Sequence, residues 1–111
     1  MLKISSSGDI ELTRGDTAYL TVTINDDNGE AYTVAENDVL TLSVKKKAVD
    51  EEPILLQKTI KGTDTFHIQP EDTAPLEFGK YKYDVQLTTA GGDVFTVIPP
   101  AVFKILAEVT S

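Results

Sequence analysis

The sequence predicts an all-β chain, folded as an antiparallel two-sheet sandwich of about seven to eight short strands. Three observations predict it. Apolar and polar residues alternate with a period of two along several segments, turn-forming residues recur about every 8 to 12 positions, and no segment sustains a helical period. At 111 residues the chain is sized for one hydrophobic core, so residues 1–111 are read as a single domain. A closed barrel is the alternative arrangement for the same pattern.

The elements follow in order. Residues 1–8, Met1 to Gly8 with its Ser5-Ser6-Ser7 run, read as a flexible lead. From Thr17 to Asn25, Leu20, Val22 and Ile24 fall on one face while Tyr19, Thr21 and Thr23 fall on the other. Asp26-Asp27-Asn28-Gly29 breaks that run as a turn, because Asn and Gly adopt positive φ at little cost. After Asn37-Asp38, Leu40, Leu42 and Val44 point inward between Thr41 and Ser43, and the strand runs out into Lys45-Lys46-Lys47. Ile54 to Ile60 is a further apolar stretch of open register, and Phe66 and Ile68 mark a short strand before Pro70. One short helical turn is expected near residues 70–76, begun by Pro70-Glu71-Asp72-Thr73 and limited by Pro75. Lys80 to Thr88 is the cleanest strand: Tyr81, Tyr83, Val85 and Leu87 alternate with Lys80, Lys82, Asp84 and Gln86, as on a central strand with one wet face. Gly91-Gly92-Asp93 turns the chain into Val94 to Ile98, and a last strand is expected from Val102 to Ala107. Pro99 and Pro100 cannot donate to a ladder, so between these strands the chain must bulge, lie at an edge or change sheets.

Charge and composition exclude whole classes of function. Eighteen acidic residues against ten basic ones leave a net charge of -8, which repels phosphate backbones and anionic lipid. Nucleic acid and membranes are therefore not expected partners. Cysteine is absent, so neither a disulfide framework nor a thiolate metal site can form. No long apolar run and no secretory signal are visible, so export by the general route and membrane spanning are not expected.

The segment from Pro70 to Tyr83 resembles the corner that opens strand F of immunoglobulin-like domains, with an acidic turn at Asp72, then Gly79, then Tyr81. A ring at that place fills the core's edge while its hydroxyl bonds back to the corner's backbone. The likeness implies an immunoglobulin-like sandwich, without the cysteine pair or core Trp of antibody domains. A second resemblance spans most of the chain. Ile10-Glu11-Leu12-Thr13-Arg14-Gly15-Asp16-Thr17-Ala18, Tyr81-Lys82-Tyr83-Asp84-Val85-Gln86-Leu87, Val94-Phe95-Thr96-Val97-Ile98 and Phe103 to Thr110 are similar to small structural proteins of tailed phages and prophages, from the tail and baseplate region. That resemblance implies a non-enzymatic module packing against other tail or baseplate proteins, and against itself, with no cofactor, located in a virion or in the cytoplasm of a host bacterium. Strand edges near Ile10 and Leu12, and near Phe103 and Ile105, are the expected interaction sites.

Other motifs read as structure. Arg14-Gly15-Asp16 precedes a strand, where Gly permits a tight turn and Asp bonds the backbone. His67 is the only histidine and has no Cys to join it, so it is expected to be a solvated side chain. Asp26 to Glu30 lacks the ligand spacing of a calcium loop. Lys45-Lys46-Lys47 beside Asp50-Glu51-Glu52 reads as a solvated loop. No nucleophile stands with a base. The alternative function is a carbohydrate- or receptor-binding sandwich, for which only Tyr19 and Tyr32 offer exposed rings.

Overall fold

The computed structural model describes residues 3–4, 8–25, 28–47 and 51–107. Among these, ten strands and one helical turn follow in order: β1 (Lys3–Ile4), β2 (Ile10–Thr13), β3 (Ala18–Thr21), β4 (Ile24–Asn25), β5 (Ala31–Tyr32), β6 (Val39–Lys45), β7 (Leu56–Lys61), β8 (Thr65–Ile68), α1 (Pro70–Thr73), β9 (Gly79–Thr88) and β10 (Val94–Leu106). The chain is all-β as its periodicity requires. The lead at Met1, Leu2 and Ser5 to Ser7, the turn residues Asp26 and Asp27, Asp50, and the closing Glu108 to Thr110 lie outside the described residues.

A main sheet has the order β1-β2-β10-β9-β6-β7, and the pairs β3-β8 and β4-β5 form two small sheets. The expectation of a purely antiparallel arrangement is corrected at one place. β2 and β10 run parallel, with Ile10 opposite Phe103 and Leu12 opposite Ile105. Nearly the whole chain separates these two strands, so no hairpin dictates their relative direction, as one does for neighbours such as β9 and β10. The strand number also exceeds seven to eight. The additions include the two-residue pieces β4 and β5, which are too short to carry a period of their own. The run from Thr17 to Asn25 divides into β3 and β4 where the Val22 N–H leaves for the Asp64 carbonyl at 2.8 Å. Its inward residues, Leu20, Val22 and Ile24, are nevertheless all buried.

β9 lies between β10 and β6, with Tyr81, Tyr83, Val85 and Leu87 buried and Lys80, Lys82 and Gln86 exposed. β6 buries Leu40, Leu42 and Val44 beside them. The stretch of open register becomes β7, antiparallel to β6 with Leu56 opposite Val44 and Ile60 opposite Leu40. Ala18, Leu20, Phe66 and Ile68 from β3-β8 join these side chains, together with Ile10, Leu12, Phe103 and Ile105, in one hydrophobic cluster. Removing that apolar area from water is the principal force holding the fold, since the chain has no disulfide to assist.

The prolines do not divide the last strand. β10 runs through Pro99 and Pro100 as one strand of 13 residues, accommodated by bulges. From Thr96 to Ile98 its partner advances only from Gln86 to Val85, and from Ile98 to Ala101 only from Val85 to Tyr83. Each shift absorbs one extra residue, and both prolines fall within the second, where a missing N–H removes no ladder bond.

Candidate functional site

The predicted corner residues take part in two separate sets of contacts, one at Tyr81 and one at Asp72. Tyr81 is buried at the start of β9, and its hydroxyl donates to the Glu77 carbonyl at 2.7 Å. Gly79 takes φ +146°, a value that side-chain-bearing residues rarely adopt, and so turns the chain into the strand. The Lys46 ammonium lies over the Tyr81 ring, 4.8 Å from its centre, as a cation-π contact. Asp72 accepts the Gln69 N–H at 2.8 Å, closing the first turn of α1, and receives the Lys58 ammonium at 2.6 Å. Burial raises the Asp72 carboxyl, but the Gln69 N–H and the Lys58 ammonium outweigh it and hold the group below its ordinary value.

The Arg-Gly-Asp triplet is built into the same corner. The Arg14 guanidinium donates to the Ala74 carbonyl, and the Gly15 N–H donates to Thr73 Oγ1 at 2.9 Å. The triplet thus fastens the end of β2 to α1. His67 stacks on Tyr19 with ring centres 4.6 Å apart and planes 9° from parallel. Among the described residues no group of three or more His, Cys, Asp or Glu is placed to hold a metal ion.

The expected interaction edges carry buried side chains. Ile10 and Leu12 lie on β2, which has β10 on one side and β1 pairing at Ile10 and Glu11 on the other. Phe103 and Ile105 lie on β10 between β2 and β9. All four side chains are buried, because they lie on the face of the sheet that packs into the hydrophobic cluster. None of them is presented to a partner in the folded chain.

The open edge lies elsewhere on the same strand. β2 reaches β10 only at Phe103 to Leu106, and among the described residues no strand pairs with the outer side of β10 from Val94 to Ile98. Val94 is 58% exposed and Phe95 is 54% exposed there. Phe95 is the cross-strand neighbour of the buried Leu87, and with Leu87, Ile24, Tyr32 and Val97 it lines a cleft of about 390 Å³ between the β9-β10 hairpin and the β4-β5 sheet. No protein-family model matches the chain. No curated protein matches it either.

The far wall of the cleft is tied to the loop at Asp38 by hydrogen bonds. The Tyr32 hydroxyl donates to Asp38, whose carboxylate also accepts the Ala35 N–H at 2.9 Å. Asp38 is only 3% exposed. The Tyr32 hydroxyl, then the Ala35 N–H, lower its pKa against the opposing effect of burial. Tyr32 is accordingly half-buried rather than fully displayed, whereas Tyr19 is 64% exposed. The sequence did hold one signal for the open edge: Val94 to Phe103 is a run without any charge in a chain where 25% of residues are charged.

Proposed function

We propose that this protein is a non-enzymatic packing module of a phage or prophage tail or baseplate assembly, with an immunoglobulin-like sandwich as its scaffold and other assembly proteins as its partners. The observation that carries the packing role is the open apolar edge of β10 from Val94 to Ile98 beside its cleft. An unpaired strand edge offers backbone donors and acceptors to another chain, and exposed apolar side chains next to it supply area to bury. The tail setting is supported by the sequence resemblance spanning Ile10–Ala18, Tyr81–Leu87 and Phe103–Thr110. Two features support the immunoglobulin-like scaffold: the parallel pairing of an early strand with the last one, and the Tyr81 bond to the corner backbone.

The test is assembly. Pull-down with candidate tail and baseplate proteins, together with sedimentation and cross-linking at rising concentration, is expected to show association that Phe95→Asp weakens. A chain that remains monomeric and binds none of those proteins overturns the reading.

A second reading, a carbohydrate-binding module, is favoured only by the Tyr19-His67 stack, a flat and exposed aromatic surface on β3-β8. A glycan array separates the two. Binding lost in Tyr19→Ala supports the second reading, and no binding removes it.

A further inference from the structure

The ladder between β9 and β10 determines which backbone groups face the open edge. The Thr89 N–H donates to the Asp93 carbonyl at 2.9 Å, so Thr89 and Asp93 oppose each other as a hydrogen-bonded pair at the mouth of the hairpin. Hydrogen-bonded and non-hydrogen-bonded pairs alternate along antiparallel strands. Phe95 opposite Leu87 is therefore of the first kind, and its N–H and C=O point toward β9. Val94 opposite Thr88, and Thr96 opposite Gln86, are of the second kind, and their N–H and C=O point away from β9 toward the open side.

This edge lacks the charged side chains that keep many strand edges apart, although a bulge and two prolines follow it. The opposite edge of the main sheet, β7, carries Lys58 and Lys61. Lysine on an edge discourages pairing because a second chain would have to desolvate it. From Val94 to Phe103 there is no charge at all, although the chain carries a net charge of -8. A second copy can therefore approach along this segment without bringing like charges into the contact. The bulge at Val97 and the prolines beyond it limit the regular part of the edge to Val94, Phe95 and Thr96. A pairing of this segment with itself about a twofold axis would close rather than propagate a fibre.

We propose that Val94–Thr96 is a self-pairing edge, which joins two copies of this chain antiparallel about a twofold axis through Phe95. Val94 of each copy then lies opposite Thr96 of the other, and each such pair exchanges both of its outward-facing N–H and C=O groups. Phe95 meets Phe95 of the second copy as a non-hydrogen-bonded pair, whose Cα atoms lie about 4.5 Å apart. The two rings stand on the cleft face and cover the apolar mouth between Leu87 and Tyr32 in both copies. The main sheet becomes continuous across the dimer. This inference rests on the packing role proposed above and names the partner as the chain itself.

The absence of cysteine from these 111 residues makes the geometry directly testable. Under mild oxidation Phe95→Cys is expected to form a disulfide-linked dimer, since the spacing of such a pair suits a disulfide. Thr59→Cys, exposed on the far edge at β7, reports the rate of random encounter. Val94→Cys and Thr96→Cys are expected to cross-link when mixed and not when each is oxidised alone. Thr96→Pro removes an outward N–H without touching the β9 ladder, so sedimentation is expected to show a dimer lost while the unfolding midpoint is kept. If Thr96→Pro does lower the midpoint, Phe95→Asp provides the same sedimentation test. Cross-linking of Phe95→Cys no faster than Thr59→Cys, or a dimer that survives both Thr96→Pro and Phe95→Asp, overturns the proposal. Binding to tail components with no self-association at this edge overturns it as well and leaves the packing role standing.

Discussion

The hydroxyl of Tyr81 donates to the carbonyl oxygen of Glu77, four residues earlier, at 2.7 Å. One bond thus closes the corner between α1 and β9 onto the ring that begins the central strand. The ring remains apolar filler if the hydroxyl is lost, but the Glu77 carbonyl then loses its partner. Tyr81→Phe is expected to cost about 1 kcal/mol, a normal net value for a neutral hydrogen bond, as read by urea unfolding. An unchanged midpoint would show that water replaces the bond at no cost.

Tyr83, next on the same face, buries its ring against Phe103 with centres 5.9 Å apart and donates its hydroxyl to the Gly8 carbonyl. Burial, then the charge of Asp9, pushes its pKa up from 10.0 to about 12. Because the folded state holds this proton more tightly, the associated stability is complete below the unfolded value. It is lost as pH rises between 10.0 and about 12. Chemical unfolding across that range is expected to show the decline in the native chain and a shallower one in Tyr83→Phe.

Asp38 behaves with the opposite sign. Its pKa is lowered by the Tyr32 hydroxyl and the Ala35 N–H, so the folded state favours the charged carboxylate. The associated stability is present above the ordinary carboxyl range and is lost as pH falls through the lowered folded value. Asp38→Asn is expected to destabilise the chain near neutrality and to flatten the acid limb of its stability curve, measured by urea unfolding from neutral to acid pH.

Gly62 connects the same loop to β7. Its φ is +72°, and a Cβ added there would stand 3.1 Å from the Glu36 carbonyl oxygen. Its N–H donates to the Asp38 carbonyl at 3.0 Å. Gly62→Ala combines an unfavourable backbone conformation with a contact against backbone, and is expected to lower stability by about 1 kcal/mol or more. Calorimetric melting checks it.

Asp72 joins α1 to β7 through Lys58, while also accepting the Gln69 N–H. Asp72→Ala removes a turn-closing acceptor and leaves a half-buried ammonium without this carboxylate, so a loss of about 1 to 2 kcal/mol is expected. Lys58→Met is expected to cost less, because the Gln69 N–H keeps its acceptor. Comparing the two unfolding midpoints separates the cap from the ion pair.

What the sequence determined by itself was local. Alternation in Lys80–Thr88 and Val39–Val44 assigned which side chains enter the core, because side-chain direction in a strand depends only on residue parity. The helical turn at Pro70 and the Tyr81 corner were legible for the same reason, since their partners lie within a few residues. Strand order was not legible. That β2 would pair parallel with β10, and so place Ile10, Leu12, Phe103 and Ile105 inside the sheet, depends on an association across nearly the whole chain. No periodicity encodes such a pairing. The same pairing stops at Phe103 and, among the described residues, leaves Val94 to Ile98 without a strand beside it. The charge-free run could be seen in the sequence, but only the tertiary structure made it an edge. A backbone group is available to a partner only where the rest of the fold has not already used it.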